Sequence, residues 1–460
     1  MRFDQLAQMS GGELHNPAML ARMFGGVSID SRTLRPGELF VAIRGEHQDG
    51  HKYIPNAIAN GAAGILSETG SVQLEKIPAD LPVVVVQNGH EGMMLLAENY
   101  RQTLDTRIIG ISGSNGKTTT KEWTYQLIQV VEPRSYRSAG NWNNLYGMPL
   151  AIFAMPDKTR LAVMEMGISR PGEMTRLTRI VRPNVVMIIN VGPSHLEYLG
   201  SVTGVARAKL EMFATMPNNT PAIVNADDET LLAEARKVRG DLITFGIDSK
   251  ADYTVDNVTT DDSRMTVTIE GHEFNLEYTG RYHVYNLLAA YTASRTAGIS
   301  FEGVDTQNIR LTTESMRGET SIREGISFLV DCYNANPESV RSALDNFAHT
   351  EITGRKVAIL GDMLELGENA AAYHRTAGYQ VSRAGVDLLI TVGPLSDQIA
   401  DGALKAGLDA NKIFRFADAD SVSHEIKSIL REGDAVLLKA SRGIGLERIL
   451  GMFDPEGSDR

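Results

Sequence analysis

Short apolar runs alternate with longer stretches in which apolar positions recur every three or four residues, and this alternation continues through most of the chain. From about residue 27 to 86, LFVAI (39–43) and LPVVVV (81–86) flank an Ala-rich helical stretch, YIPNAIANGAAG, so the pattern predicts a small α/β unit, taken as a first domain over 1–86. From 107 onward strand-like RIIGI precedes a helix at 116–130, LAVMEM one at 171–180, and NVVMIINV one at 203–214. Such repetition implies a mostly parallel sheet with right-handed crossovers. Residues 252–278 alternate apolar and polar positions instead, the mark of an antiparallel addition, and an Ala-rich helix at 283–297 completes a second domain over 87–312. In 313–460 the rhythm returns: ISFLVD with helix 336–349, KVAILG with 368–384, DLLITVG with 396–406 and AVLLK with 442–453. The expected fold class is therefore α/β in three domains: a small N-terminal α/β domain, a central parallel-sheet domain of the P-loop ATPase type, and a Rossmann-like C-terminal domain. The third domain lacks G-x-G-x-x-G, so dinucleotide binding has no support there. The terminal PEGSDR reads as a frayed tail.

Composition agrees with several ordinary domains. At roughly 150 residues each, about three fit into 460 residues, and 43 Gly and 16 Pro without a repeat exclude collagen, coiled coil and bulk disorder. The longest aliphatic stretches, Val83 to Val86 and Val185 to Ile189, are too short to cross a bilayer, so no membrane insertion is expected. The N-terminus, with Asp4 and Glu13 and no continuous apolar region, does not read as a signal peptide. Cys332 is the single cysteine, which excludes an internal disulfide or a cysteine zinc cluster and suits a reducing cytoplasm. A net charge of −12 with no long Lys/Arg run disfavours nucleic acid as a partner. Anions would have to bind through local devices such as helix N-termini and glycine loops.

Such a device lies at 110–123, GISGSNGKTTTKEW, where RIIGI turns into a helix. Gly113, Ser114, Asn115 and Gly116 can curl their amides around phosphate oxygens, Lys117 adds a point charge, Thr118 offers a hydroxyl to Mg²⁺, and Thr119 continues the helix start. The strict Walker spacing needs glycine at 111, where Ile111 stands, so the loop could instead be a glycine turn capping a helix. Glu165 in LAVMEMG and His195 in NVGPSHLE sit at predicted strand ends, where open α/β sheets bind ligands. Each alone also reads as a surface strand end or a helix cap. Behind a phosphate loop, Thr118, Glu165 and His195 can together ligate divalent metal on a triphosphate. Lys209, in VARAKLEMF, reads equally as a solvated helix lysine.

GISGSNGKTTTKE, AGNWNNLYGMPL (139–150), MEMGISRPGEM, SHLEYLGSVTGVARAKLEMF and DCYNANPESV (331–340) resemble the Mur ligases. SIDSRTLRPGELFVAIRGEHQDGH (28–51) is similar to that family's UDP-substrate domain, and GDMLELGENAAAYH (361–374) and LKASRG (438–443) to the C-terminal domain of its dipeptide-adding branch. The DNPR segment of the branch that adds diaminopimelate is absent, and YNANP stands where that branch has a YAH-type sequence. The resemblance implies an ATP-dependent amide ligase of peptidoglycan synthesis. It would join D-alanyl-D-alanine to UDP-N-acetylmuramoyl-tripeptide through an acyl phosphate, releasing ADP and phosphate, as a cytoplasmic monomer.

Residue by residue, the resemblance implies that Lys117 and its loop hold the ATP β and γ phosphates, with Thr118 and Glu165 on one Mg²⁺ and His195 near a second. Lys209 falls at the family's carbamylated lysine, Asn286 beside adenine, Arg317 at the ATP phosphates and Asp331 at the ribose, while Asn334 and Asn336 line the same cleft. Ser31 and Arg32, with the 45–51 stretch including Gly45 and His51, match the uridine-diphosphate side. Asn141 and Asn144 match the muramoyl-peptide side, and Lys439 and Arg442 are expected to reach the cleft from the third domain. In RYHVYN, Val284 replaces the asparagine that commonly follows His283 in the family. Other readings are a sibling ligase adding one amino acid to UDP-N-acetylmuramoyl-dipeptide, a folylpolyglutamate-type ligase, a P-loop switch or motor ATPase, and a non-catalytic UDP-sugar binder. A switch would hydrolyse ATP without acceptor or amine. Whether the tripeptide ends in diaminopimelate or lysine is left open.

Overall fold

The computed structural model describes residues 1–15, 19–45, 48–72, 74–261, 264–277, 280–350 and 352–453. The tail PEGSDR and positions 46 and 47 of the 45–51 stretch lie outside the described residues. Among those described, the strands form four sheets.

The N-terminal sheet runs in the order Glu13–His15, Val83–Val86, Gly64–Glu68, Leu39–Val41, Val27–Ser28, parallel except at its first pair. The pattern before residue 27 gave no sign of the helix Phe3–Ser10 or the edge strand Glu13–His15. Helix Gly89–Arg101 joins this unit to the next, with Met93 and Leu96 in the N-terminal core and Met94 and Ala97 in the central one.

The central sheet is parallel throughout, in the order Leu242–Phe245, Ala222–Asn225, Val185–Ile188, Arg107–Ser112, Leu161–Glu165, Ser135–Arg137. Period-two alternation splits its side chains between two cores. Ile109, Ile111, Val163, Val185 and Met187 face one, whereas Ile108, Ala162, Met164, Val186 and Ile188 face the other. Both faces are covered, which is why these strands read as nearly continuous apolar runs. The predicted antiparallel addition is present as Asn257–Thr260, Met265–Ile269 and His272–Leu276. Val267, Phe274 and Leu276 pack into the first of these cores together with helix Arg281–Thr296.

The C-terminal sheet has the order Glu319–Arg323, Ile326–Val330, Ala435–Lys439, Lys356–Gly361, Leu388–Val392, Ile413–Phe416 and is parallel after an antiparallel hairpin. The helix expected at 442–453 does not form as one piece. Gly445 takes a left-handed φ of 72°, so the chain makes a turn at Arg442–Ile444 and a separate short helix at Arg448–Gly451, which lets Leu446, Ile449 and Phe453 reach the core. Among the described residues, no helix is long and apolar enough to cross a membrane.

Helices Ala370–Arg383 and Asp397–Lys405 touch through glycine. A Cβ on Gly378 would lie 2.0 Å from the carbonyl oxygen of Ile399, and one on Gly402 would lie 2.1 Å from that of Arg375. Backbone cannot yield as a side chain can. Gly378→Val is therefore expected to destabilise the C-terminal unit by about 1–3 kcal/mol, read as a lower urea midpoint. An unchanged midpoint would contradict this close packing.

Candidate active site

Strand Arg107–Ser112 lies between Leu161–Glu165 and Val185–Ile188, and the chain leaving it returns first on one side and then on the other. That reversal opens a crevice at the strands' carboxyl ends, the place where ligands of open α/β sheets bind. The loop of Gly113 to Gly116 sits there. Gly116 has φ 76°, and a Cβ on it would stand 2.3 Å from Asn286 Oδ1, so both conformation and space demand glycine. Within helix Lys117–Val131 the bonding starts from Thr120 N–H to Gly116 O at 2.8 Å, so the amides of Lys117, Thr118 and Thr119 have no carbonyl inside the helix to meet.

Asn190, which pattern and motif alike passed over, shapes the loop. Its Oδ1 accepts from the amides of Ser114 (3.1 Å) and Asn115 (2.9 Å), and its Nδ2 donates to Asn115 O (3.1 Å). Lys117 Nζ donates to Gly113 O at 2.9 Å and to Ser114 O at 3.2 Å. Burial holds its ammonium below the ordinary lysine range, with Glu165 opposing and Arg317 adding to the effect.

Thr118 Oγ1 donates to Glu165 Oε2 at 2.7 Å, and Asn143 Nδ2 donates to Glu165 Oε1 at 2.8 Å. The carboxylate is thus fixed on both oxygens beside the helix start. Lys209 is buried on helix Val202–Thr215, not solvated, and its amine is held well below the usual lysine range by burial and then by Lys117, with Glu165 opposing. His195 takes a left-handed φ of 52° and its Nδ1 meets Glu365 Oε2 of the C-terminal unit at 2.5 Å. That hydrogen bond holds the Glu365 carboxyl below its ordinary value.

A cavity of about 870 Å³ extends from the loop to the C-terminal unit. Among the expected residues it is bordered by Ser114 to Thr119, Asn144, Glu165, His195 and Asn286 of the central unit, and by Arg317, Asp331, Asn334, Asn336 and Lys439 of the C-terminal unit. Arg317 lays its guanidinium 4.0 Å above the ring of Tyr333, a residue the motifs did not single out. Asn336 caps helix Pro337–His349 and donates to Asn115 Oδ1 at 2.7 Å, directly joining the two units. Lys439 is almost fully buried and holds Asp331 (2.8 Å to Oδ2) and the carbonyl of Asn334 (3.0 Å).

Gly113, Lys209 and several other expected residues do not border this cavity. Arg442 pairs with Glu447 at 3.0 Å, and Asn141 is exposed on the loop before Asn143. In the N-terminal unit Ser31 is buried, Arg32 pairs with Asp30, and the Gly45 amide donates to Gln48 O. His51 has both ring nitrogens engaged, Nδ1 with Asp49 at 2.6 Å and Nε2 accepting from Glu68 N–H at 3.1 Å, so its ring braces this unit internally.

The site therefore offers uncommitted helix-start amides, a cation at Lys117, paired oxygen donors at Thr118 and Glu165, and a second cation at Arg317 brought by another unit. This arrangement suits a polyphosphate whose outer phosphoryl group lies between the two units.

Three family models match the chain: "Mur ligase family, catalytic domain" over 24–101, "Mur ligase middle domain" over 111–294, and "Mur ligase, glutamate ligase domain" over 316–442. The UDP-N-acetylmuramoyl-tripeptide–D-alanyl-D-alanine ligase of Bacillus subtilis is 34% identical, covering 97% of this chain and 96% of that protein. The Escherichia coli protein of the same name is 30% identical, covering 99% and 98%. Among solved structures, MurF from Acinetobacter baumannii superposes with a TM-score of 0.84 at 25% identity, covering 97% of each chain. MurF ligase from Thermotoga maritima, in complex with ADP, gives 0.78 at 28% identity, covering 93% of this chain and 96% of that one.

Asn190→Ala removes both side-chain bonds to the Asn115 backbone, each worth about 0.5–1.5 kcal/mol, while the Ser114 amide keeps the Asn190 carbonyl at 3.0 Å. Calorimetric titration is expected to show ADP affinity lowered about tenfold or more. Wild-type affinity would mean that the loop holds its shape without Asn190.

Proposed function

The chain belongs to the Mur ligase family, and on that premise we propose that it joins D-alanyl-D-alanine to UDP-N-acetylmuramoyl-tripeptide at the expense of ATP. What carries the reading is that ligases of this name match the chain end to end, not at the phosphate loop alone. A switch ATPase would share the loop without the flanking units. In this reading three domains divide the work: 1–86 holds the UDP end of the acceptor, 87–312 the ATP, and 313–460 closes over both. A cytoplasmic setting agrees with the single cysteine.

The chemistry must bring two anions together, the peptide carboxylate and the triphosphate. Lys117 and Arg317 both border the cavity and offset that repulsion. A carboxylate oxygen attacks the γ phosphorus, the bond to ADP breaks, and an acyl phosphate forms. The neutral amine of D-alanyl-D-alanine then attacks the acyl carbon, the C–N bond forms, phosphate departs with the electron pair of the C–O bond, and the nitrogen gives up one proton to phosphate or solvent. Holding the partners in one closed cleft replaces a costly encounter with an aligned one.

Thr118 Oγ1 and Glu165 Oε2, 2.7 Å apart, suit Mg²⁺ when phosphate oxygens complete its shell. Among the described residues no cluster of three or more His, Cys, Asp or Glu side chains is placed to hold an ion, and in this reading nucleotide oxygens supply the further ligands. Bound there, Mg²⁺ would neutralise charge on the transferring phosphoryl group. His195 is the candidate toward a second ion. We further propose that Lys209 reacts with CO₂ to give a carbamate, its amine nitrogen bonding the carbon and releasing a proton. Carbamylation requires the neutral amine that burial and Lys117 favour. The carbamate would replace a misplaced ammonium with an anionic oxygen donor.

Product mass spectrometry tests the activity. UDP-N-acetylmuramoyl-tripeptides ending in diaminopimelate or lysine, given ATP, Mg²⁺ and D-alanyl-D-alanine, are expected to yield a pentapeptide with at least one of them; none with either, alongside acceptance of another amine, overturns the assignment. Lys117→Ala is expected to abolish turnover in a folded protein. Lys209→Ala is expected to lose activity and to regain part of it with added formate or acetate, whereas full activity without additive would remove the carbamate from the account.

A further inference from the structure

Lys121 is fully buried, one turn beyond Lys117 on helix Lys117–Val131. Positions three and four apart share a helix face, so Lys121 points the same way as Thr118 and Lys117. Its Nζ lies 3.0 Å from Ser138 O, 3.0 Å from Glu314 Oε1, 3.0 Å from Glu122 Oε1 and 3.5 Å from Gly140 O. Glu122 is bonded in turn by Arg137 at 2.5 Å.

Each element on this ammonium leads to the active site. The helix begins with Lys117 and Thr118. Ser138 opens the loop that places Asn143 on Glu165, and its Oγ accepts from the Glu165 amide at 3.2 Å. Glu314 stands just before Arg317 in the segment leading into the C-terminal sheet. The same segment is strapped to the same helix: Trp123 Nε1 donates to Thr312 O at 3.1 Å, and the Thr312 amide donates to Gln126 Oε1 at 2.9 Å. Beyond Glu314 the backbone bends through left-handed conformations at Met316 (φ 62°) and Gly318 (φ 76°). Arg317 lies within that bend.

An apolar side chain would fill the Lys121 position without the cost of burying charge, and buried ion pairs are poor stabilisers. What such a pair does well is fix one geometry among several. We propose that Lys121 is a positioning residue which, through Glu314, registers the Arg317 segment against the phosphate loop and Glu165. Arg317 then arrives at one set distance from the transferring phosphate when the cleft closes. Lys121 touches no reacting atom, and the inference rests on reading the cleft as an ATP-dependent ligase site.

The test uses Glu314→Gln, whose side chain is partly exposed, with Lys121→Met as a second variant. Glu314→Gln is expected to lower kcat about tenfold with KM for ATP within about twofold, and to cost nothing further in an Arg317→Ala background, because both changes remove one function. A kcat within about twofold of wild type, or losses that multiply with that of Arg317→Ala, would overturn the proposal. A merely structural contact would lower thermal stability and leave that non-additivity absent. Amide hydrogen exchange over 312–316 with ATP and Mg²⁺ needs no acceptor. Faster exchange there in Glu314→Gln, with the phosphate-loop helix unchanged, is expected, and unchanged exchange over 312–316 would overturn the proposal. If the wild-type chain joins no D-alanyl-D-alanine, the functional reading fails while the exchange comparison still decides this inference.

Discussion

The contact between Gly116 and Asn286 is the constraint on which the site depends. The loop must reverse direction within a few residues of the central strand and still aim its helix-start amides into the crevice. A left-handed residue at the helix cap achieves the turn, and the Asn286 side chain occupies the place a Cβ would need. Lys117, Thr118 and the Glu165 carboxylate bonded to Thr118 all take their positions from that turn. Asn190 secures it from the neighbouring strand's end by taking up the amides of Ser114 and Asn115. The amides left for a phosphate are then those farther along the helix start.

Around this fixed centre, the C-terminal unit adds groups without sharing a sheet with the central one. Asn336 reaches Asn115, Glu365 reaches His195, and Glu314 reaches Lys121. These contacts are polar, as is usual where two units of one chain meet. Arg317 of this unit and Lys117 border the same cavity, in a chain whose net charge is −12. In the proposed reading anion binding is local, built from two cations and one helix terminus.

Much of this was legible in the sequence because its signals are periodic or punctuated. RIIGI followed by SGSNGK gives strand, turn and helix in the order the phosphate loop needs, and the two-sided burial of 161–165 and 185–188 produces the apolar runs that reveal a parallel sheet. Glu165 stood out as a carboxylate at the end of such a run. Asn190, Asn143 and Tyr333 did not, because an asparagine after a strand or a tyrosine in a loop has no pattern that separates a working residue from an ordinary turn. The partnership of His195 with Glu365 joins positions far apart in the chain, and periodicity holds no information about that. Over 442–453 the apolar spacing predicts one helix, and Gly445 interrupts it. Lys209 gave the opposite difficulty: a lysine on a helix reads as solvated until the packing around it is seen.

The central claim is that the cleft transfers the outer phosphoryl group of ATP onto the peptide carboxylate before the amide bond forms. Oxygen-18 in that carboxylate, followed by mass spectrometry of the products, tests this most directly. The account predicts one labelled oxygen in the released inorganic phosphate and one retained in the new amide. Unlabelled phosphate, or label recovered in AMP, would contradict it.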